Sequence, residues 1–491
     1  MDENKNVNGS PPVHTGRKRL LAVILFLAVC VVTVFGVGRG LADAPPEITD
    51  AITDEDNAPE THESADVPVE TTPVKPGSVA DYGGATFKVL VTEKERRTGF
   101  DGGDAPTLLS SLDSEYAELL EFDLNIELKT VYLQSPAAYV QSAWAANEGD
   151  TADLLVLDLF VDTSNGAAPD TTQLLINGLL ADLCAIDTVK LGGEGYYADV
   201  NTALSVCGST YLVASSATVG FRDSLIGVIY DKGLVSDSET DVHGLVKDGK
   251  WTFDALGAVA KDIGSDVNTD CDEAVVWMIG TGARDAFPTA DGFTVDLTSD
   301  NAVETFAKMK SVLYGGVGAD GKVGGSSSAF RQGTVDKFAK LDKEGYGLLP
   351  LPKSNSDGIY RSVSKTENAT VMAVTSFCFD KRRSGTVMNL LAERSHQTFG
   401  DEYLADVCGT DEKSRESLEY IIANRSVCLI AVLGYPDALE DACETLIMEK
   451  NNDPAAFLKQ RSYFLQYVLD TIVDDIMQAT EKYRPSEDEE V

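Results

Sequence analysis

The sequence predicts an α/β fold, large enough for two lobes and set behind an N-terminal apolar helix and an unstructured linker. Three observations lead there. Strand-like and helix-like segments alternate from residue 84 onward, the 491 residues exceed one ordinary core, and an uncharged apolar run near the start precedes an acidic, proline-containing stretch.

The N-terminal elements set the compartment. Arg17-Lys18-Arg19 is followed by 19 residues, 20–38, without a charge. At about 1.5 Å rise per residue this run spans a hydrocarbon core. Basic residues ahead of it place 1–19 in the cytoplasm, as a tail or signal n-region, and the rest of the chain outside. Residues 20–41 then form an uncleaved anchor, a cleaved signal sequence ending among Gly40, Ala42 and Ala44, or a lipid attachment at Cys30. All three routes deliver the body to the outer face. From 43 to 80, ten acidic residues meet a single Lys75, with almost nothing large and apolar to bury. Such a segment cannot offset its ordering entropy and reads as a disordered acidic linker.

The body follows. Residues 85–91 alternate as a strand, 106–122 carry a helical leucine pattern, 125–131 are a second strand and 136–147 a second helix. Residues 153–158 form a continuous apolar strand ending in Asp158. Strands alternating with helices argue for a largely parallel sheet covered on both faces, with ligands approaching the carboxyl ends of its strands. Helices follow at 253–263 and 302–313, a proline-broken edge or crossing segment at 345–352, a strand at 369–377 and a long amphipathic helix at 454–482.

Charge and chemistry exclude several classes. Forty basic against 79 acidic side chains give −39, a field that repels nucleic acid and anionic lipid. The eight cysteines form no CxxC, and no histidine lies at zinc-ligand spacing from them. Cys184 with Cys207, or Cys408 with Cys428, could bridge, as could none. Of four histidines only His243 and His396 lie in the body, in polar, loop-like surroundings. No nucleophile elbow or zinc-protease motif occurs. Residues 316–321 satisfy GxGxxG but follow a helix, so they read as a loop. Residues 266–272 have oxygen ligands at alternate positions, yet Cys271 stands where a calcium loop needs glycine, which favours a solvated turn. Neither cofactor nor metal is expected, and the chain is not expected to be an enzyme.

Several phrases, in order, resemble the bacterial extracellular solute-binding proteins of the carbohydrate type, the maltose-binding-like branch. They are Leu175-Ile176-Asn177-Gly178-Leu179-Leu180-Ala181-Asp182-Leu183, Gly208-Ser209-Thr210-Tyr211-Leu212-Val213, Val228-Ile229-Tyr230-Asp231-Lys232, Gly249-Lys250-Trp251-Thr252-Phe253-Asp254 and Tyr346-Gly347-Leu348-Leu349-Pro350-Leu351-Pro352-Lys353. In the fourth, Thr252 is placed to cap the helix that follows and Trp251 to staple it. The resemblance covers 84–482. It departs from the family at Gly195-Tyr196-Tyr197, where a Trp-Trp pair is common.

The resemblance implies a two-lobed periplasmic-binding-protein-like fold of class II, with lobe 1 at 84–217 plus 326–365 and lobe 2 at 218–325 plus 366–482. Chain crossings are expected at 214–224, 326–330 and 360–370, with Arg222 and Asp223 on a strand facing the cleft. The implied function is capture of a small polar solute, a sugar or oligosaccharide, for an ABC-type importer. The chain would be a monomer whose partners are that solute and the permease subunits, with no nucleic acid. A surface-anchored sensing or interaction protein on the same fold is the alternative, and a surface hydrolase the third reading. Aromatic platforms and a few polar groups would hold the solute, with Asp158, Tyr196, Tyr197, Arg222, Asp223, Trp277, Phe330 and Tyr360 as candidates.

Overall fold

The computed structural model describes residues 80–92, 107–147, 152–159, 170–270, 273–280, 284–315, 322–323, 328–364, 369–448 and 453–482. The anchor or signal segment, the linker up to residue 79 and the GxGxxG run lie outside them, as do Cys30, Cys271 and Asp272. No helix among the described residues is long and apolar enough to cross a membrane.

The first half is built on parallel pairing. β1 (Ala85–Thr92) buries Phe87, Val89, Leu90 and Val91. The next elements are the helix α1 (Thr107–Leu124), β2 (Ile126–Leu133), α2 (Pro136–Ala145) and β3 (Leu154–Asp158). Ser135 starts α2 because its hydroxyl accepts from Ala138 N, and Pro136 brings a backbone already set for a first helical turn. β1 lies between β2 and β3, parallel to both, with Phe87 opposite Leu128 and Val91 opposite Val156. Asp153 ties this sheet together: its carboxylate accepts from Lys88 N at 2.7 Å and pairs with Arg383.

After Val213 the chain crosses through the one-turn helix α3 (Val219–Asp223) into the second half, which comprises β4 (Ile226–Asp231), α4 (Val242–Lys247), α5 (Phe253–Asp262), β5 (Val267–Asp270), α6 (Ala274–Gly280), β6 (Ala286–Thr289), β7 (Gly292–Val295), α7 (Asp300–Leu313), β8 (Lys322–Val323), β9 (Phe330–Thr334) and β10 (Tyr346–Leu349). As anticipated, Thr252 caps α5, accepting from Ala255 N. Trp251 is fully buried and donates to Pro350 O at 2.9 Å. The second sheet runs β10-β4-β9-β5-β8. Only β5 and β9 are parallel in it; its other pairings are antiparallel.

The chain then returns through β11 (Ser362–Ser364) to β12 (Thr370–Ala373), which joins the first sheet antiparallel to β3. The remaining elements are α8 (Lys381–Cys408), α9 (Glu412–Ala423), β13 (Arg425–Val427) and α10 (Pro454–Lys482), with shorter helices between the last two. α8 packs on α1 in the first half and on α9 in the second, and α9 covers β10. β13 pairs with β11, so Arg425 stands opposite Ser362.

Several expectations change. The chain passes between the sheets after Val213 and again before β12, whereas Phe330, within the crossing expected at 326–330, opens β9 of the second sheet. β9 stays in the second sheet because its neighbours β4 and β5 satisfy its backbone on both sides. Strands at 330–334 and 346–349 therefore belong with β4, and the strand at 370–373 with β1 and β3, the reverse of the expected partition. Parallel pairing dominates the first sheet alone. Residues 267–270, expected as a turn, are β5. Arg222 and Asp223 are helical, one turn before their strand begins. His243 lies in α4 and His396 in α8, neither in a loop. Cys184, Cys207 and Cys408 are free thiols, so neither suggested disulfide forms.

Candidate functional site

A cavity of about 290 Å³ opens at the junction of the two halves. Its lining comes from the loop before residue 198, from the first crossing, from the middle of α8, and from the end of α9 and the start of β13. Tyr196, Tyr197, Ser216, Arg222, Tyr403 and Arg425 supply most of its chemistry, with His396 and Glu419 beside them.

Local sequence fixes the tyrosine loop. Gly195 has φ +87°, and a Cβ there would stand 2.1 Å from Ala392 O, so only glycine lets this loop lie against α8. Ser216 N donates to Gly195 O at 2.7 Å and Tyr197 N to Ala214 O at 3.1 Å, locking the loop to the approach of the crossing. Asn201 accepts from Ala214 N at 2.8 Å through its side chain. Tyr196 points its hydroxyl to Asn389 Oδ1 on α8 at 3.1 Å. Burial pushes its pKa well above the ordinary tyrosine value.

The crossing supplies the charge. Arg222 donates through Nε to the Tyr197 hydroxyl and through Nη2 to Ser216 Oγ at 2.9 Å. Its guanidinium also faces the Tyr403 ring, 5.1 Å from the centroid. Burial works against its charge, but Tyr197, Tyr403 and Asp223 outweigh that, and the net pKa shift is upward. Asp223, fully buried, accepts from Tyr403 OH at 2.8 Å and so fixes a ring that lines the cavity without lining it itself. Arg425 lies over the Tyr197 ring at 4.1 Å and pairs with Asp199 at 3.2 Å. The arrangement offers aromatic faces, hydroxyls and guanidinium donors to one small polar guest.

Of the eight residues named from sequence, the structure brings Tyr196, Tyr197 and Arg222 together and sets Asp223 directly behind them. Asp158 is elsewhere, at the carboxyl end of β3 as expected, where it accepts from Thr92 Oγ1 at 2.7 Å beside Thr370. Trp277 and Phe330 are fully buried core residues: Trp277 packs on Phe253, and Phe330 on Trp251, each pair at 6.2 Å. Trp277 also donates to Thr269 Oγ1 at 3.0 Å. Tyr360 packs edge-on against Tyr420 and donates to Val246 O at 3.0 Å, with its pKa pushed up to about 12 by burial.

Sequence reasoning missed Tyr403 and Arg425, which lie about 200 residues from Tyr197 along the chain. Arg425 stands just after α9, at the first position of β13. Among the described residues, the histidine–serine pair that could suggest hydrolysis, His243 with Ser417 at 3.1 Å, is buried in the core, and His243 also bonds Tyr230 OH at 2.8 Å. No group of three or more His, Cys, Asp or Glu among the described residues could hold a metal.

No protein-family profile matches the chain, and no curated protein matches it. Solved structures do. The sugar-binding protein MalE from the phytopathogen Xanthomonas citri is similar at a TM-score of 0.50 and 11% identity, over 81% of this chain and 100% of that one. The galacto-N-biose-/lacto-N-biose I-binding protein of the ABC transporter from Bifidobacterium longum, in complex with lacto-N-biose, gives 0.49 and 10%, over 80% and 99%. An ABC substrate-binding protein from Listeria monocytogenes, in complex with cycloalternan, gives 0.46 and 13%, over 78% and 98%. On the first of these likenesses, the chain has the two-lobed α/β fold of the periplasmic-binding-protein class.

Proposed function

We propose that this protein is a solute-binding protein that captures a sugar-class ligand between its two halves at the outer face of the membrane and presents it to an ABC-type importer. The observation that carries the reading is the cavity at the junction, where Tyr196, Tyr197 and Tyr403 meet Arg222 and Arg425. Tyrosine faces stack on the apolar faces of sugar rings, while hydroxyls and guanidinium groups take ring hydroxyls. The two-lobed fold supports it, since a guest bridging two halves makes more contacts when they close. The basic triplet before the uncharged run at 20–38 supports an external body on an N-terminal tether.

The reading is tested by thermal unfolding of the protein over a panel of saccharides. A true ligand at a hundredfold excess over Kd stabilises by about 2.7 kcal/mol, and chromatography recovers it unchanged. A panel with no stabilising saccharide, or a ligand recovered cleaved, ends the proposal. Stabilisation by a saccharide without binding to any permease favours the sensing alternative.

A further inference from the structure

We infer that the solute held by this cavity is an anionic sugar, one whose carboxylate or phosphate group lies against Arg425 and Arg222. The inference rests on the solute-binding reading and adds the ligand's charge.

The chain carries almost twice as many acidic as basic side chains, so a cavity placed at random in it would have more carboxylates than cations in its lining. This one is lined by Arg222 and Arg425 against Glu419 alone. The basic character continues beyond the lining. Arg425 pairs with Asp199, and Asp199 also acts on Arg361, which lies beside β11. Burial and the neighbouring charge of Arg284 both hold the Arg361 pKa below its ordinary value, with Asp199 opposing them. Four guanidinium groups thus run from the buried wall of the cavity to the exposed Arg284, with Asp199, Asp223 and Glu419 among them. Within this strip the neighbouring arginines repel one another, and an anion between them relieves that repulsion.

Arg425 also shows where the anion would sit. Its guanidinium carbon lies 4.1 Å from the Tyr197 ring centroid, one Nη donates to Ile422 O at 2.7 Å and the other meets Asp199, while its Nε is buried without an acceptor. A planar fork with a donor to spare suits the two oxygens of a carboxylate or phosphate. Arg222, on the hydroxyl edge of the same tyrosine, adds a second positive charge.

The test is calorimetric titration of the full chain with three probes of one ring size: glucose, glucuronate and glucose 6-phosphate. The expected result is at least tenfold tighter binding of one or both acids than of glucose, falling as salt rises. Preference for glucuronate assigns a carboxylate, and preference for glucose 6-phosphate a phosphate. Arg425→Gln should remove tenfold or more of the acid's affinity and lower that of glucose by a clearly smaller factor. Arg284→Gln, at an exposed position, should weaken the acid two- to threefold even if the first variant folds poorly. Equal binding of all three probes, or an equal loss of all three in Arg425→Gln, overturns the inference. So does a neutral saccharide that binds while both acids fail, an outcome that leaves the solute-binding reading intact. If no saccharide binds, the solute-binding reading itself has failed.

Discussion

The Arg425 guanidinium carbon stands 4.1 Å from the centroid of the Tyr197 ring, and the hydroxyl of that ring accepts from Arg222. One tyrosine therefore organises two cations. Tyr197→Phe keeps the stacking face and removes the acceptor, and should cost about 1.5–3 kcal/mol of stability, the usual worth of a hydrogen bond to a charged group. Tyr197→Ala should cost more and also weaken ligand binding. Urea unfolding and calorimetry of the two variants separate these effects.

Trp277 makes the opposite prediction. It is fully buried against Phe253 and away from the cavity. Trp277→Phe should lower stability through lost volume and the lost bond to Thr269, and Trp277→Ala by about 3–5 kcal/mol. Neither should change the ligand Kd of protein that remains folded. A tenfold loss of affinity in Trp277→Phe would contradict this placement.

Two buried groups pull stability in opposite directions with pH. Burial lowers the His243 pKa to about 4 from 6.5, so the unfolded chain binds a proton that the folded one refuses between those values. Its contribution is intact above pH 6.5 and lost as pH falls towards 4, up to about 3 kcal/mol at 1.36 kcal/mol per pKa unit. Asp285, raised to about 6 by burial, holds a proton when folded that the unfolded chain has released, and it favours folding on the acid side of 6. Asp285→Asn, which retains an acceptor for Ile430 N, should therefore steepen the loss of stability from pH 6 to 4. His243→Gln should make that loss shallower. Denaturant midpoints at pH 4.5, 5.5 and 7 read both slopes.

Gly195→Ala tests the seating of the tyrosine loop. The backbone strain at φ +87° alone costs roughly 1–3 kcal/mol, and the clash with Ala392 O adds to it. A lowered melting temperature together with weakened ligand binding is expected. Unchanged binding would show that the loop's position does not matter to the site.

Much of the fold was legible because its signals are local. The β-branched alternation at residue 85 and the strand ending in Asp158 give β1 and β3 within a residue or two. Thr252 marks the first turn of α5, and the apolar period at 454–482 gives α10. Sheet membership was not legible at 330–334 or 370–373, since pairing partners lie far along the chain. Arg222 and Asp223 were expected on a strand because β4 follows at once, and one helical turn has no period of its own. Trp277 looked like a platform, yet it sits in Ala274–Gly280, where every residue is apolar and buried, as in a core helix. Half the cavity was visible in the tyrosine pair and Arg222. The other half, from α8 and β13, exists only once the chain has folded back on itself.

α8 has 28 residues, a rod about 42 Å long at 1.5 Å per residue. Near its start Asn389 receives the Tyr196 hydroxyl, and further along Tyr403 reaches back to Asp223 beside the crossing. Bending such a rod would break its own backbone ladder, whereas swivelling around it only exchanges side-chain packing. On the proposed solute-binding reading, closure around a ligand would use α8 as its axle, and a proline placed midway along it should disturb how the halves communicate before it disturbs either half alone.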